Sequence, residues 1–192
     1  DYPFNPLSVA LGAGCSFVAR ALDSDRKGLD ETLTTAAHHR GTSFVEIYQN
    51  CPIFNDGAFD DYKGPEAAER IVRLVDGEPI LLGADRSKGV VRDPVNGSLT
   101  VTEVAQVGMD HVVVHDATRP DPSLAFELAH LHDSGQISQI PLGILRSVSL
   151  PTYDDMVRDQ LRLAGGSADD KPARDAALQQ LLRGNDTWQV HN

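Results

Sequence analysis

Residues 43–56 read SFVEIYQNCPIFND, and their reading decides the fold. The opening half alternates side-chain character and is rich in β-branched and aromatic residues, the pattern of a strand over Ser43–Gln49. That strand runs straight into Asn50-Cys51-Pro52, where the proline ring fixes the chain direction and removes a backbone donor. Upstream, Asn5 is placed to cap a helix with Pro6 in its first turn, carrying Leu7, Val9 and Ala10 and stopping near Gly12 or Gly14. Ser16 to Arg20 reads as a short strand. From Gly28 to His39, Leu29, Leu33, Ala36 and Ala37 recur at helical spacing, and Gly41 ends the segment. Helix, strand, helix, strand is the rhythm of a parallel sheet covered by helices. Such sheets bind ligands outside the carboxyl ends of their strands, so Asn50 and Cys51 fall where a site is expected.

The rest of the chain reads as α+β. Pro65 opens an expected helix carrying Ala67, Ala68, Ile71, Val72, Leu74 and Val75, and Ile80-Leu81-Leu82 is a short strand. Val90-Val91 and Leu99-Thr100-Val101 flank Asn96-Gly97, a hairpin signal. His111 to His115 is strand-like, and Asp121-Pro122 starts a helix to about Leu131. Thr152-Tyr153-Asp154-Asp155 resembles a capping box with Asp in place of Glu, ahead of a helix to Leu163. Gly165 to Asp170 reads as a flexible joint before a last helix, Pro172 to Arg183, that stops at Gly184. The organisation expected is thus α/β over residues 1–56, followed by an α+β extension over 57–192. Two strands do not complete a sheet, so most of the layer is expected upstream. Part of the apolar surface of Val90-Val91, Ile137, Ile140, Leu142 and Ile144-Leu145 is expected to be buried against a partner subunit.

Composition excludes several classes. The chain has 192 residues, 41% hydrophobic and 23% charged, within the range of globular domains. A net charge of −11 opposes binding to nucleic acid or an anionic membrane surface. Two cysteines make no disulfide framework, which points to a reducing cytoplasm. The chain starts at Asp1 and reads as a piece of a longer one.

Few residues invite chemistry. His111 and His115, if in a strand, stand roughly 13 Å apart, too far to share a zinc ion. His130 and His132 do not face each other on a helix, and His38-His39 suit a helix carboxyl end. Asp56, Asp60 and Asp61 miss the spacing of a calcium loop and read as a solvated acidic loop. Phosphate-loop, nucleophile-elbow and dinucleotide motifs are absent. Cys15, among Gly12, Ala13, Gly14 and Ser16, reads as a small packed hydrophobe. Cys51 is well aimed for a metal, but one cysteine cannot hold an iron–sulfur cluster. The residues alone leave it open between a ligand and an ordinary turn residue.

The segments Asn5-Pro6-Leu7, Phe17-Val18-Ala19-Arg20 and Phe44 through Asp56 together resemble the β subunit of 2-oxoacid:ferredoxin oxidoreductases, most of all the actinobacterial 2-oxoglutarate members. Val113 to Asp116, Asp121 to Phe126, and Arg146 to Asp155 resemble its C-terminal part. The resemblance implies a thiamine-diphosphate-binding fold, with the diphosphate held through Mg2+ by a Gly-Asp-Gly segment and a later Asn. It implies a 4Fe–4S cluster on four cysteines, the last of them matched by Cys51. It further implies a partner α subunit, an α2β2 assembly, coenzyme A, a 2-oxoacid and ferredoxin. Gly-Asp-Gly and the other three cysteines are absent from these 192 residues. The resemblance puts them before Asp1, so the chain is expected to be the C-terminal portion of the subunit. No catalytic residue and no thiamine contact is assigned within it. The competing expectation is an assembly segment that docks partner subunits while the chemistry lies elsewhere.

Overall fold

The computed structural model describes residues 4–132, 139–165, 170–185, 187–188 and 190. It divides into two compact units, Asp1–Leu150 and Pro151–Asn192. The first opens with α1 (Pro6–Gly12), capped by Asn5, whose side chain accepts from the Ser8 N–H at 3.1 Å. Then come β1 (Phe17–Leu22), α2 (Arg26–His38) and β2 (Ser43–Tyr48). Asp25 caps α2 by accepting from the Gly28 N–H at 3.2 Å. These four elements form where the local signals place them.

Farther along, several expectations change. The helix expected from Pro65 to Val75 is one turn, α3 (Ala67–Arg70), followed at once by β3 (Ile71–Arg73). Ile71 and Val72 are β-branched, and pairing with a neighbouring strand outweighs the helical spacing around them. That neighbour is β7 (Ile140–Ser147), an eight-residue strand in a stretch where the sequence reading places no element. The sheet order is β2-β1-β7-β3. β1 runs parallel to β2, β7 antiparallel to β1, and β3 parallel to β7. The sheet is therefore mixed rather than wholly parallel, and it does not end at residue 56, because β7 and β3 extend it.

A second sheet orders β4 (Leu81–Leu82), β5 (Lys88–Arg92) and β6 (Leu99–Glu103), all antiparallel. The β5–β6 hairpin turns at Asn96-Gly97 as expected, with Gly97 at φ 76°. After it come α4 (Val104–Val107) and a single 3-10 turn at Met109–His111. Residues 112–115 are extended but form only isolated bridges, Val91 with Val112 and Pro79 with Val114. Then α5 (Ser123–Ala129) packs on α1 and β7, and the bidentate Arg92–Glu127 pair, at 2.7 and 2.8 Å, ties it to the hairpin.

The core joins the two sheets through Leu7, Val18, Val72, Ile80, Val90, Leu128 and Leu145. A smaller cluster of Leu22, Ile71, Ile140 and Leu142 sits under Tyr48, Phe59 and Tyr62. Val90, Val91, Ile140, Leu142 and Leu145 are therefore buried by the chain itself, not kept for a partner, while Ile144 is half-buried. Ile137 lies outside the described residues.

The second unit holds α6 (Tyr153–Gly165) and α7 (Lys171–Arg183). Thr152 accepts from the Asp155 N–H at 3.1 Å, as a capping box requires, and Asp170 accepts from the Ala173 N–H at 3.0 Å. The expected joint at residues 166–169 lies outside the described residues. No helix among the described residues is long and apolar enough to cross a membrane.

Gly143 is the tight point of the main sheet. Its φ is +121°, and a Cβ there would meet the Leu74 carbonyl oxygen at 2.8 Å. Gly143→Ala is expected to cost about 2–4 kcal/mol through strain and backbone collision. Gly12→Ala, with nothing within 4 Å, should stay within about 1 kcal/mol of wild type. Chemical denaturation of both variants measures the contrast, and equal stabilities would contradict it.

Candidate functional site at the end of strand β2

β1 and β2 lie side by side and end together, and the Asp23 N–H donates to the Tyr48 carbonyl at 3.0 Å just beyond them. The chain then enters a turn in which Cys51 and Asn55 form a bridge, the Asn55 N–H donating to the Cys51 carbonyl at 2.9 Å. Asn50 brackets this turn. Its own N–H donates to Asp23 Oδ2 at 3.3 Å, its Nδ2 donates to Asp56 Oδ1 at 2.9 Å, and its Oδ1 accepts from the Gly57 N–H at 2.8 Å. One side chain thus joins both feet of the loop, and Gly57 makes the closing bend at φ 78°. Beyond it Phe59 folds back and stacks on Tyr48, with centroids 4.7 Å apart.

Cys51 sits at the open end of this bracket, half-exposed. The backbone N–H groups of Phe54 and Ile53, with that of Asn55, hydrogen-bond the sulfur and hold the thiol below its ordinary value; slight desolvation opposes them. Donors of this kind stabilise a thiolate, the form that binds metal. The local chemistry therefore fits one thiolate corner of a metal cluster. Among the described residues, no group of three or more His, Cys, Asp and Glu side chains could hold a metal ion by itself.

Beneath the loop lies a residue the sequence reading missed as a site feature. Arg20 is 1% exposed, pairs with Glu46 at 2.6 Å and lies 5.0 Å from the centre of the Tyr48 ring. Its Nη1 has no hydrogen-bond partner. An arginine inside the otherwise apolar run Phe17 to Leu22 was the available signal. Asp23, which anchors Asn50, carried no comparable signal, because their contact is non-local.

The other candidates are spent on structure. Cys15 is buried, its thiol donating to the carbonyls of Phe17 and Thr42 at 3.1 and 3.2 Å. His115 is buried with its Nε2 2.7 Å from the Ile144 carbonyl, and burial lowers its pKa. His39 lies 3.0 Å from Ser16 Oγ and His130 lies 2.7 Å from Ser8 Oγ. Asp60 and Asp61 pair with Lys63 and Arg70 at 3.1 and 3.4 Å. The open cleft of about 630 Å3 around Ala68, Leu81 and Arg86 does not include Cys51.

Against this geometry the comparisons are specific. No family model matches the chain. The mixed sheet and its helices match, with a TM-score of 0.57, a 2-oxoglutarate:ferredoxin oxidoreductase from Magnetococcus marinus solved with 2-oxoglutarate, coenzyme A and succinyl-CoA bound. That match covers 93% of this chain and 45% of the other at 22% identity, so it speaks for the fold. The fold is thus shared with part of a chain of that enzyme. In sequence, the chain is 50% identical over 190 residues to 2-oxoglutarate oxidoreductase subunit KorB of Mycobacterium tuberculosis. A shorter stretch of 52 residues is 38% identical to a 2-oxoacid:ferredoxin oxidoreductase subunit beta from Sulfolobus. Almost the whole chain is thus similar in sequence to about half of the mycobacterial 2-oxoglutarate oxidoreductase subunit. It covers 49% of the mycobacterial relative's length, while 99% of the chain itself is matched.

Because its sulfur collects amide donors and stands half-exposed, Cys51 is expected to alkylate before buried Cys15. Its lowered pKa places more thiolate at a given pH, so the pH of half-maximal rate should fall below the ordinary thiol value of 9.0. Mass spectrometry of iodoacetamide-treated, iron-free protein across a pH series reads both; earlier modification of Cys15 would contradict the assignment.

Proposed function

We propose that this chain is part of the β subunit of a 2-oxoglutarate:ferredoxin oxidoreductase and that Cys51 supplies one thiolate to its 4Fe–4S cluster. The 50% identity to subunit KorB, extending over the loop just described, carries this reading. The whole enzyme converts a 2-oxoacid and coenzyme A to acyl-CoA and carbon dioxide, releasing one proton and two electrons that pass to ferredoxin. Thiamine diphosphate with Mg2+ supplies the electron sink for decarboxylation, and the cluster carries electrons singly. Within this chain, the β1 and β2 ends position the loop, Asn50 fixes its two feet, and amides 53–55 favour the thiolate form of the sulfur. Gly-Asp-Gly is absent here, so the thiamine and Mg2+ contacts are assigned to residues outside this sequence. An α2β2 assembly in the cytoplasm completes the proposal.

A second role, in assembly, draws on the C-terminal unit. Leu161, Leu163, Leu181 and Leu182 are all exposed on α6 and α7. Residues 151–192 therefore offer apolar side chains to the α subunit or to a second β subunit.

In the intact enzyme, Cys51→Ser is expected to deplete iron and remove the reduced-cluster signal while thiamine diphosphate stays bound. Cys15→Ala should keep the cluster and cost about 1 kcal/mol. Iron quantitation and electron paramagnetic resonance on both variants decide the matter; full iron and a normal signal in Cys51→Ser would reject ligation.

A further inference from the structure

β3 and β4 follow each other in the chain but belong to different sheets, and each is the outermost strand of its own. The open cleft of about 630 Å3 lies between them, lined on one wall by Ile71, Arg73 and Val75 and on the other by Pro79, Leu81 and Gly83. Both walls are unpaired strand edges. The Leu74 N–H donates to the Leu142 carbonyl at 2.9 Å, so Val72 and Leu74 direct their backbone groups to β7, and Arg73 between them turns its own away. Ile80 spends its N–H on the Val113 carbonyl at 2.9 Å and its carbonyl on the Val90 N–H at 3.0 Å, which turns the backbone of Leu81 away from β5. The walls are held at both ends. The Glu78 N–H donates to the Val75 carbonyl at 3.1 Å in the connecting turn, and Glu69 Oε1 accepts from the Ala84 N–H at 2.8 Å beyond β4.

The same cleft carries a cation without a counter-charge. Arg86 lines it with its backbone at φ 55°, a left-handed conformation that a residue with a side chain seldom adopts. Its guanidinium has no hydrogen-bond or ion-pair partner among the described residues. Arg73, by contrast, is paired with Asp25 at 2.6 Å. We infer that this cleft takes an extended, acid-bearing segment of the partner α subunit as a strand added to β3, with its carboxylate on Arg86. The inference rests on the reading of this chain as part of a β subunit. An extended peptide supplies what the cleft leaves unmet. Its backbone pairs with the free edge at Arg73, its alternate side chains rest on Ile71, Val75 and Pro79, and its carboxylate meets the guanidinium. A small anion would answer Arg86 alone and leave the strand edge open. Glu78, which also lines the cleft, repels acid at the turn and leaves the Arg86 end for it.

The test is residue-resolved hydrogen exchange on the assembled enzyme. The Arg73 amide is expected to exchange about tenfold or more below its unstructured rate, as a newly paired edge does. Arg86→Gly removes the guanidinium and relaxes the backbone at that position; it should return the Arg73 amide to fast exchange. The Leu74 amide, bonded to β7, should stay protected in both proteins and so reports that the fold is intact. Photo-cross-linking from Ala68→benzoylphenylalanine, on the cleft wall, then identifies the occupant, expected to be an acidic stretch of the α subunit. Fast exchange at Arg73 in the assembled wild-type enzyme would overturn the added strand while leaving the subunit assignment intact. Protection that survives Arg86→Gly would overturn the charge pairing. A cross-link to the same β subunit, or none, would overturn the α-subunit occupant. A purified enzyme without an α subunit would overturn the subunit reading and this inference together.

Discussion

The pairing of β7 with β1 is the contact on which the main sheet depends. β1 is buried at all six positions and already has β2 on one side. Its other edge would present unpaired backbone groups in the interior if β7 did not cover it. β7 comes from more than a hundred residues farther along, runs antiparallel to β1 and carries β3 on its far edge. The close approach of Gly143 to the Leu74 carbonyl lets the chain leaving β3 pack against it. Once the four strands are joined, the ends of β1 and β2 are fixed relative to each other, and the Cys51 loop has a rigid base.

What the sequence reveals and what it conceals divides along the range of the contacts. Asn5, Pro6 and Asp170 act within one turn of the chain, and the helices they start are legible from the residues alone. The β5–β6 hairpin is legible for the same reason. β7 is concealed because Pro141 and Gly143 are residues that argue against a strand, and only a distant partner makes one there. β3 is concealed because Ala67 and Ala68 extend a helical pattern into Ile71 and Val72, whose partner lies at Ile140 and Pro141. At the site, the position of Cys51 past β2 is legible, whereas the Asp23 contact to Asn50 and the Arg20–Glu46 pair below it emerge only from the fold.

Arg20 shows how the site region is loaded with polar groups yet held together. A guanidinium at 1% exposure is tolerable only with partners, and Glu46 on the adjacent strand supplies the charge. The Tyr48 ring beside it adds a favourable face and, on the loop side, receives Phe59. A line of contacts therefore runs from the interior of β1 to the loop that bears the thiol. The chain spans about half of the mycobacterial subunit it matches, and on the function proposed above it would bring one thiolate to a group that needs several.

The Asn50 bracket also limits how this segment can evolve. Because one amide side chain holds Asp56 and the Gly57 N–H together, the number of residues between positions 50 and 57 is set by the reach of that side chain. An inserted or deleted residue there would separate the two feet and turn the sulfur away, even with every side chain retained. Among diverging sequences, the spacing after the cysteine should therefore outlast the identities of the residues that fill it.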